Sequence, residues 1–221
     1  KNGKQITEEL FEGKLAWVDW QRPGFDLALQ IENAIDNNPG ISGLILGGHG
    51  LFTWGETSKD CYLNSLEMIE KASEYLERKY GETRPIFGGE RIKALESADR
   101  RQKAAEMAPI LRGLCSENQL MVGHFTDNSE VMEFICSNDL NDLAKLGTSC
   151  PDHFLRTKIS PLVLPITADA NLNDREAFLP KMKEVFAEYN AMYADYYDNH
   201  KRENSPAMRD ANPVVILWPG V

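Results

Sequence analysis

"GLILGGHGLFTWG", Gly43 to Gly55, holds the question on which the fold turns. Apolar residues run into two glycines, a lone histidine, a third glycine and an aromatic tail. A strand that stops this way is one of two things. It is a tight turn with an incidental imidazole, or a site where backbone must come close to a ligand. Gly48 and Gly50 permit positive φ and close approach, so His49 can be presented at a strand end. In α/β architectures ligands gather at the carboxyl ends of strands. A neutral imidazole there can ligate a metal or serve as an acid and base.

The flanking segments give that strand its neighbours. "LAWVDWQRPGF" (Leu15–Phe25) predicts a short strand closed by Pro23-Gly24. Apolar residues at Phe25, Leu27, Leu29, Ile31 and Ile35 then predict a helix from about Asp26, stopped by "NNPG". After the glycine–histidine turn, a long amphipathic helix starts at Ser58, with Thr57 or Ser58 as its N-cap. Its packing face is predicted to be Cys61, Leu66, Ile69, Ala72, Tyr75 and Leu76.

"GETRPIFGGERI" is the best candidate for an internal boundary. Beyond it, "SADRRQKAAEMAPILRGLCSE" predicts a helix kinked or stopped near Pro109. "QLMVGHFT" predicts a strand, and "SEVMEFICSNDLNDLAKLG" two short helices. Thr148–Pro165 reads as irregular and then strand, and Glu176–His200 as a long helix. "NPVVILWPGV" ends the chain on a strand-like run. An opening "KNGKQ" and this abrupt stop read as an excised piece of a longer polypeptide.

Composition excludes several classes of function. Of 221 residues, 42% are hydrophobic and 26% charged, with a net charge of −10. Those are soluble globular values, and the acidic balance argues against a nucleic-acid footprint. No run approaches the roughly 18–20 apolar residues of a membrane span. Cys61, Cys115, Cys136 and Cys150 form no CxxC pair. They read as structural thiols of a reducing cytoplasm.

A repeat of order is visible. Strand, helix, Asn38-Pro39 and "ISGLILGGHGL" in the first half match strand, helix, Asn212-Pro213 and "VVILWPGV" in the second. Alternation of strands and helices favours an α/β class. His200 reads as a solvated imidazole at a helix end, and His124 as a surface or partly buried residue. "CPDHFLRTK" (Cys150–Lys158) is the second candidate site. Cys150, Asp152 and His153 are ligand-type side chains, and Arg156 and Lys158 suit a phosphate. The same stretch also reads as a loop with a capping Asp and solvated bases.

Residues 1 to about 80 resemble the second half of the class II aldolase/adducin domain. The matching residues are His49, Gly50, Leu51 and Gly55, followed by the helix from Ser58. The resemblance implies an α/β, class II aldolase-like layered sheet and helices. Residues 1–85 would be the C-terminal half of that domain, and 90–221 a degenerate, catalytically silent second copy. It also implies zinc held by three histidines, with His49 the third and a His-x-His pair in chain preceding Lys1. The family's acid/base carboxylate has no counterpart assignable here, so no catalytic residue is named.

"VDWQRPGF", "GGHGLFTWGETSKDCY", "IFGGERI", "CPDHFLRTK" and "WPGV" together sharpen the likeness. They are similar to bifunctional rhamnulose-1-phosphate aldolase/alcohol dehydrogenase proteins. Gly48 departs from that pattern, in which a larger residue commonly precedes the histidine. The resemblance implies zinc-assisted retro-aldol cleavage of rhamnulose 1-phosphate to dihydroxyacetone phosphate and lactaldehyde. His153, Arg156 and Lys158 would be substrate contacts, and NAD would serve only a dehydrogenase domain outside this chain. The implied protein is a cytoplasmic homo-oligomer whose partner is a small sugar phosphate, with no nucleic acid and no membrane. The isolated chain is expected to be inactive and to bind zinc weakly. A pentulose-phosphate 4-epimerase and a non-catalytic adducin-like module are the alternatives.

Overall fold

The computed structural model describes residues 2–81, 85–116, 119–172 and 174–221, Arg175 by its backbone alone. Its contacts divide the chain into two compact units. The first is Lys1–Arg84 with Thr148–Phe154, and the second is Pro85–Gly147 with Leu155–Val221. Part of the boundary loop, residues 82–84, lies outside the described residues.

The first unit is built on helix α1 (Gly3–Phe11), strand β1 (Leu15–Val18), helix α2 (Phe25–Asn37), strands β2 (Gly43–Leu46) and β3 (Gly50–Thr53), and helix α3 (Ser58–Tyr80). The sheet order is β1-β2-β3. Strands β1 and β2 are parallel, from Leu15 opposite Gly43 to Val18 opposite Leu46. Strand β3 returns antiparallel, with Leu46 opposite Gly50. Side-chain alternation along the strands divides the core. Val18, Leu44 and Leu46 pack with Ile41 and with Leu27 of α2, while Leu15 packs with Phe11 of α1 and Met68 of α3.

Two expectations are corrected here. The opening residues, whose Asn2-Gly3 is a turn signal, form α1, in which the Thr7 hydroxyl donates to the Gly3 carbonyl at 2.9 Å. The aromatic tail after His49, to which the sequence assigns no element, is strand β3, because the glycine turn is a hairpin. Helix α3 starts at the expected cap, Thr57, whose hydroxyl accepts from the Asp60 amide. Its face is rotated from the expected one: Leu66, Ile69 and Leu76 are exposed and Met68 is buried. Polar anchors set that rotation. The Asn64 amide donates to the Trp54 carbonyl at 2.8 Å, and Ser65 and Thr53 hydroxyls meet at 2.6 Å.

The second unit contains a short 3-10 turn (Ile86–Gly88), then α4 (Ser97–Cys115), α5 (Ser129–Ile135) and α6 (Leu140–Leu146). Helix α7 (Pro151–Thr157) falls across the division of the chain. Strand β4 (Leu162–Val163), helix α8 (Arg175–His200) and strand β5 (Ile216–Leu217) complete the unit. Strands β4 and β5 are parallel, with Leu162 opposite Ile216. Phe178, Met182, Phe186 and Tyr189 line one side of α8 at helical spacing. They pack on Met107, Leu162, Leu164 and Trp218.

Helix α4 runs through Pro109, which excludes the stop that the sequence allowed beside a kink. Sequence expectation fails at two further places. Residues 119–128 form no strand. Leu120 and Val122 are exposed, and the backbone is held by side chains instead. Arg112 donates to the Met121 carbonyl at 2.8 Å, and Arg100 binds Asp127 at 2.9 Å. Residues 151–157, read as irregular, are helical because Pro151 stands at the first helical position, where its missing N–H costs nothing. No described helix is long and apolar enough to cross a membrane.

Candidate functional site

Parallel pairing sets the carboxyl ends of β1 and β2 side by side, and His49 sits in the turn that leaves β2. The turn is closed by the Gly47 amide donating to Val18 at 2.8 Å and the His49 amide donating to Leu46 at 3.0 Å. Its glycines are required by two indoles. A Cβ on Gly47 would stand 2.8 Å from the Trp17 ring and 3.2 Å from the Trp20 amide. Gly48 has φ +66°, and a Cβ there would stand 2.9 Å from the Trp20 ring. Trp17 is fixed in turn by its N–H donating to Asp19 at 2.7 Å. The backbone comes close to tryptophans, a reason for "GGHG" that the sequence did not disclose. The absence of a larger residue before the histidine has the same cause.

The His49 side chain is 24% exposed. Its Nδ1 is buried and has no hydrogen-bond partner, and its Nε2 stands 3.4 Å from Asp152 Oδ2. Asp152 lies in the first turn of α7 and arrives with the segment Thr148–Phe154 that groups with the first unit. The imidazole is thus held on a tight, hydrogen-bonded hairpin and reaches outward through Nε2, which suits a metal ligand. Among the described residues no group of three His, Cys, Asp or Glu is placed to hold a metal. His49 and Asp152 do not by themselves complete such a group.

The other predicted residues separate. His153 and Arg156 are exposed on α7, and Cys150, Asp152 and His153 do not converge as a ligand trio. Lys158 is buried in the second unit with φ +63°. Its ammonium donates to the Asp210 carbonyl and lies 4.1 Å from the centroid of Tyr193. Burial pulls that amine below the ordinary lysine range, against the opposing field of Asp210. Sequence reasoning missed the pairing of Asp152 with His49 and the roles of Trp17 and Trp20, since no local pattern connects them.

Comparison with known proteins decides the family. The model for the Class II Aldolase and Adducin N-terminal domain matches residues 3–76, and that for Aldolase class II, second domain, matches residues 102–221. The chain belongs to the class II aldolase family. This class II aldolase chain is also 32% identical over 220 residues to a Bacillus subtilis (strain 168) protein named uncharacterized oxidoreductase YuxG. That match covers all of this chain and 31% of the relative, so the chain spans about a third of the relative's length. No solved structure matches. His49 lies within the stretch matched by the first family model.

Proposed function

We propose that this chain is part of a zinc-dependent aldolase that cleaves rhamnulose 1-phosphate to dihydroxyacetone phosphate and lactaldehyde. The observation that carries the reading is His49, aimed through Nε2 from a glycine hairpin at the carboxyl end of a parallel strand. The quoted motifs, similar to the bifunctional family, support this ketose phosphate. Two further imidazoles would come from outside these residues. When bound, zinc supplies Lewis-acid stabilisation of the charge that develops as the carbon–carbon bond breaks.

What this chain contributes is positional. The hairpin fixes the imidazole before the metal arrives, and Trp17 and Trp20 lie close against the glycines of the turn. The reading makes the second unit a catalytically silent copy. It leaves nicotinamide chemistry to a part of the protein beyond these residues, in keeping with the relative's name and greater length. The protein is read as a cytoplasmic homo-oligomer.

His49→Ala in the intact protein tests the reading. Zinc content should fall, and cleavage should drop by at least about a hundredfold, because a Lewis acid supplies several kcal/mol. Full metal and full cleavage in the variant would overturn the assignment. Epimerisation without cleavage in the parent protein would favour the epimerase. No turnover with any ketose phosphate would favour an adducin-like module.

A further inference from the structure

We propose that Asp152 is a second donor of the metal site at His49, delivered from the far half of the sequence; the proposal rests on the reading of His49 as a ligand. The separation of His49 Nε2 and Asp152 Oδ2, 3.4 Å, is longer than an ordinary N–H···O hydrogen bond of about 2.7–3.2 Å. It is the spacing of two ligands on one ion. With metal–nitrogen bonds of about 2.0–2.1 Å and metal–oxygen bonds of about 2.0–2.2 Å, tetrahedral ligand atoms stand roughly 3.3–3.5 Å apart. A surface ion pair is the plain alternative, and it would contribute little.

The delivery is built into the backbone. Thr148–Phe154 groups with the first unit, while the residues on either side of it belong to the second. The excursion is pinched at its base. Gly147 has φ +74°, and a Cβ there would lie 1.9 Å from the Ile159 carbonyl oxygen, so only glycine lets the chain leave and return there. At the tip, the Asp152 side chain is 68% exposed, which leaves its oxygens open to an ion arriving from solvent. With His49 Nδ1 buried, Nε2 is the nitrogen that faces this carboxylate. An imidazole and a carboxylate suit zinc and other divalent transition metals.

The test is a zinc titration of the 221-residue chain, followed by the ring carbon–proton signals of His49, His124, His153 and His200. His49 should respond at the lowest zinc concentration. Asp152→Ala and the isosteric Asp152→Asn should each raise the His49 midpoint by at least about tenfold, with unchanged backbone spectra confirming the fold. If His49 responds first in the parent chain and neither substitution moves its midpoint, Asp152 is not a donor, and His49 stands as a ligand without it. If His49 responds no earlier than His200, the reading of His49 as a ligand fails and Asp152 falls with it. A tenfold loss in both variants supports the proposal whether or not the intact protein cleaves a ketose phosphate.

Discussion

The two units each contain a parallel strand–helix–strand, and they use the turn after the second strand in opposite ways. In the first, β1 and β2 flank α2, and the turn presents His49 while glycines make room for the indoles of Trp17 and Trp20. In the second, β4 and β5 flank α8, and the turn residue itself is the indole. Trp218 is buried in the core, its N–H donates to the Thr167 carbonyl at 3.3 Å, and Gly220 at φ +82° accepts from the Leu95 amide at 3.1 Å. One order of elements yields an outward-facing polar group in one place and a sealed apolar plug in the other. The difference lies in where the tryptophans stand: on and just after β1 in the first unit, in the turn after β5 in the second.

That contrast is broken or sharpened first by truncating the two turn residues in the 221-residue chain. Trp218→Ala removes a buried indole from a cluster that includes Met182 and Phe186, and should cost about 3–5 kcal/mol. His49→Ala removes a ring with no core packing role and should stay within about 1 kcal/mol. Urea unfolding followed by far-UV circular dichroism measures both. Equal losses would mean that the first turn is also a plug, and the contrast would collapse.

Next in size is an alkaline effect confined to the second unit. Burial, with Tyr193 adding to it, pushes the Tyr189 hydroxyl up to about 12, and that hydroxyl donates to the Ser160 carbonyl at 2.7 Å. A phenol whose folded value lies above its unfolded value of about 10 contributes stability that is complete below pH 10. That contribution disappears as pH rises toward 12, and over this range Tyr189 alone should account for roughly 2–3 kcal/mol. Lys158, held below the ordinary lysine range, works in the opposite direction just under its unfolded value. Comparing Tyr189→Phe with the parent chain cancels the lysine. The variant should show a shallower fall in unfolding free energy between pH 10 and 12. An unchanged slope would mean that the phenol ionises freely.

Much of the first unit was legible because its signals are local. Pro23-Gly24 and "NNPG" punctuate α2, Thr57 caps α3, and the apolar run Gly43–Leu46 is a strand. The fold class followed from that alternation. What escaped depends on pairs distant in sequence. Strand β3 exists because β2 offers it an edge, and α3 rotates to satisfy the carbonyl of Trp54 rather than to bury its richest apolar stripe. In the second unit "QLMVGHFT" has strand composition but no partner edge, and Arg112 takes its carbonyl instead. His49 stood out by its glycine frame. Asp152 could be named only as one ligand type among neighbours, since nothing in "CPDHFLRTK" points to the hairpin it reaches.

The smallest expected effect concerns charge. In the first unit Lys14 donates to Glu67 at 2.6 Å, with Lys71 3.7 Å from the same oxygen. The hydrogen bond from Lys14 is the main reason that the Glu67 carboxyl lies below its ordinary range. Yet the Lys14 and Glu67 side chains are 49% and 42% exposed, so water and salt screen the attraction. In the second unit Arg100 and Asp127 form a pair whose side chains are only 14% and 13% exposed, in the dry surroundings where ion pairs are screened least. Glu67→Gln should therefore cost less than about 1 kcal/mol at pH 7, and less again in 1 M salt. Because the folded carboxyl is depressed, what stability it gives exists above its unfolded value and fades as pH falls through the folded one. A loss of several kcal/mol that persists in high salt would show that Lys14 and Glu67 are shielded from solvent. The first unit would then owe its cohesion to charge as much as to Leu15, Phe11 and Met68.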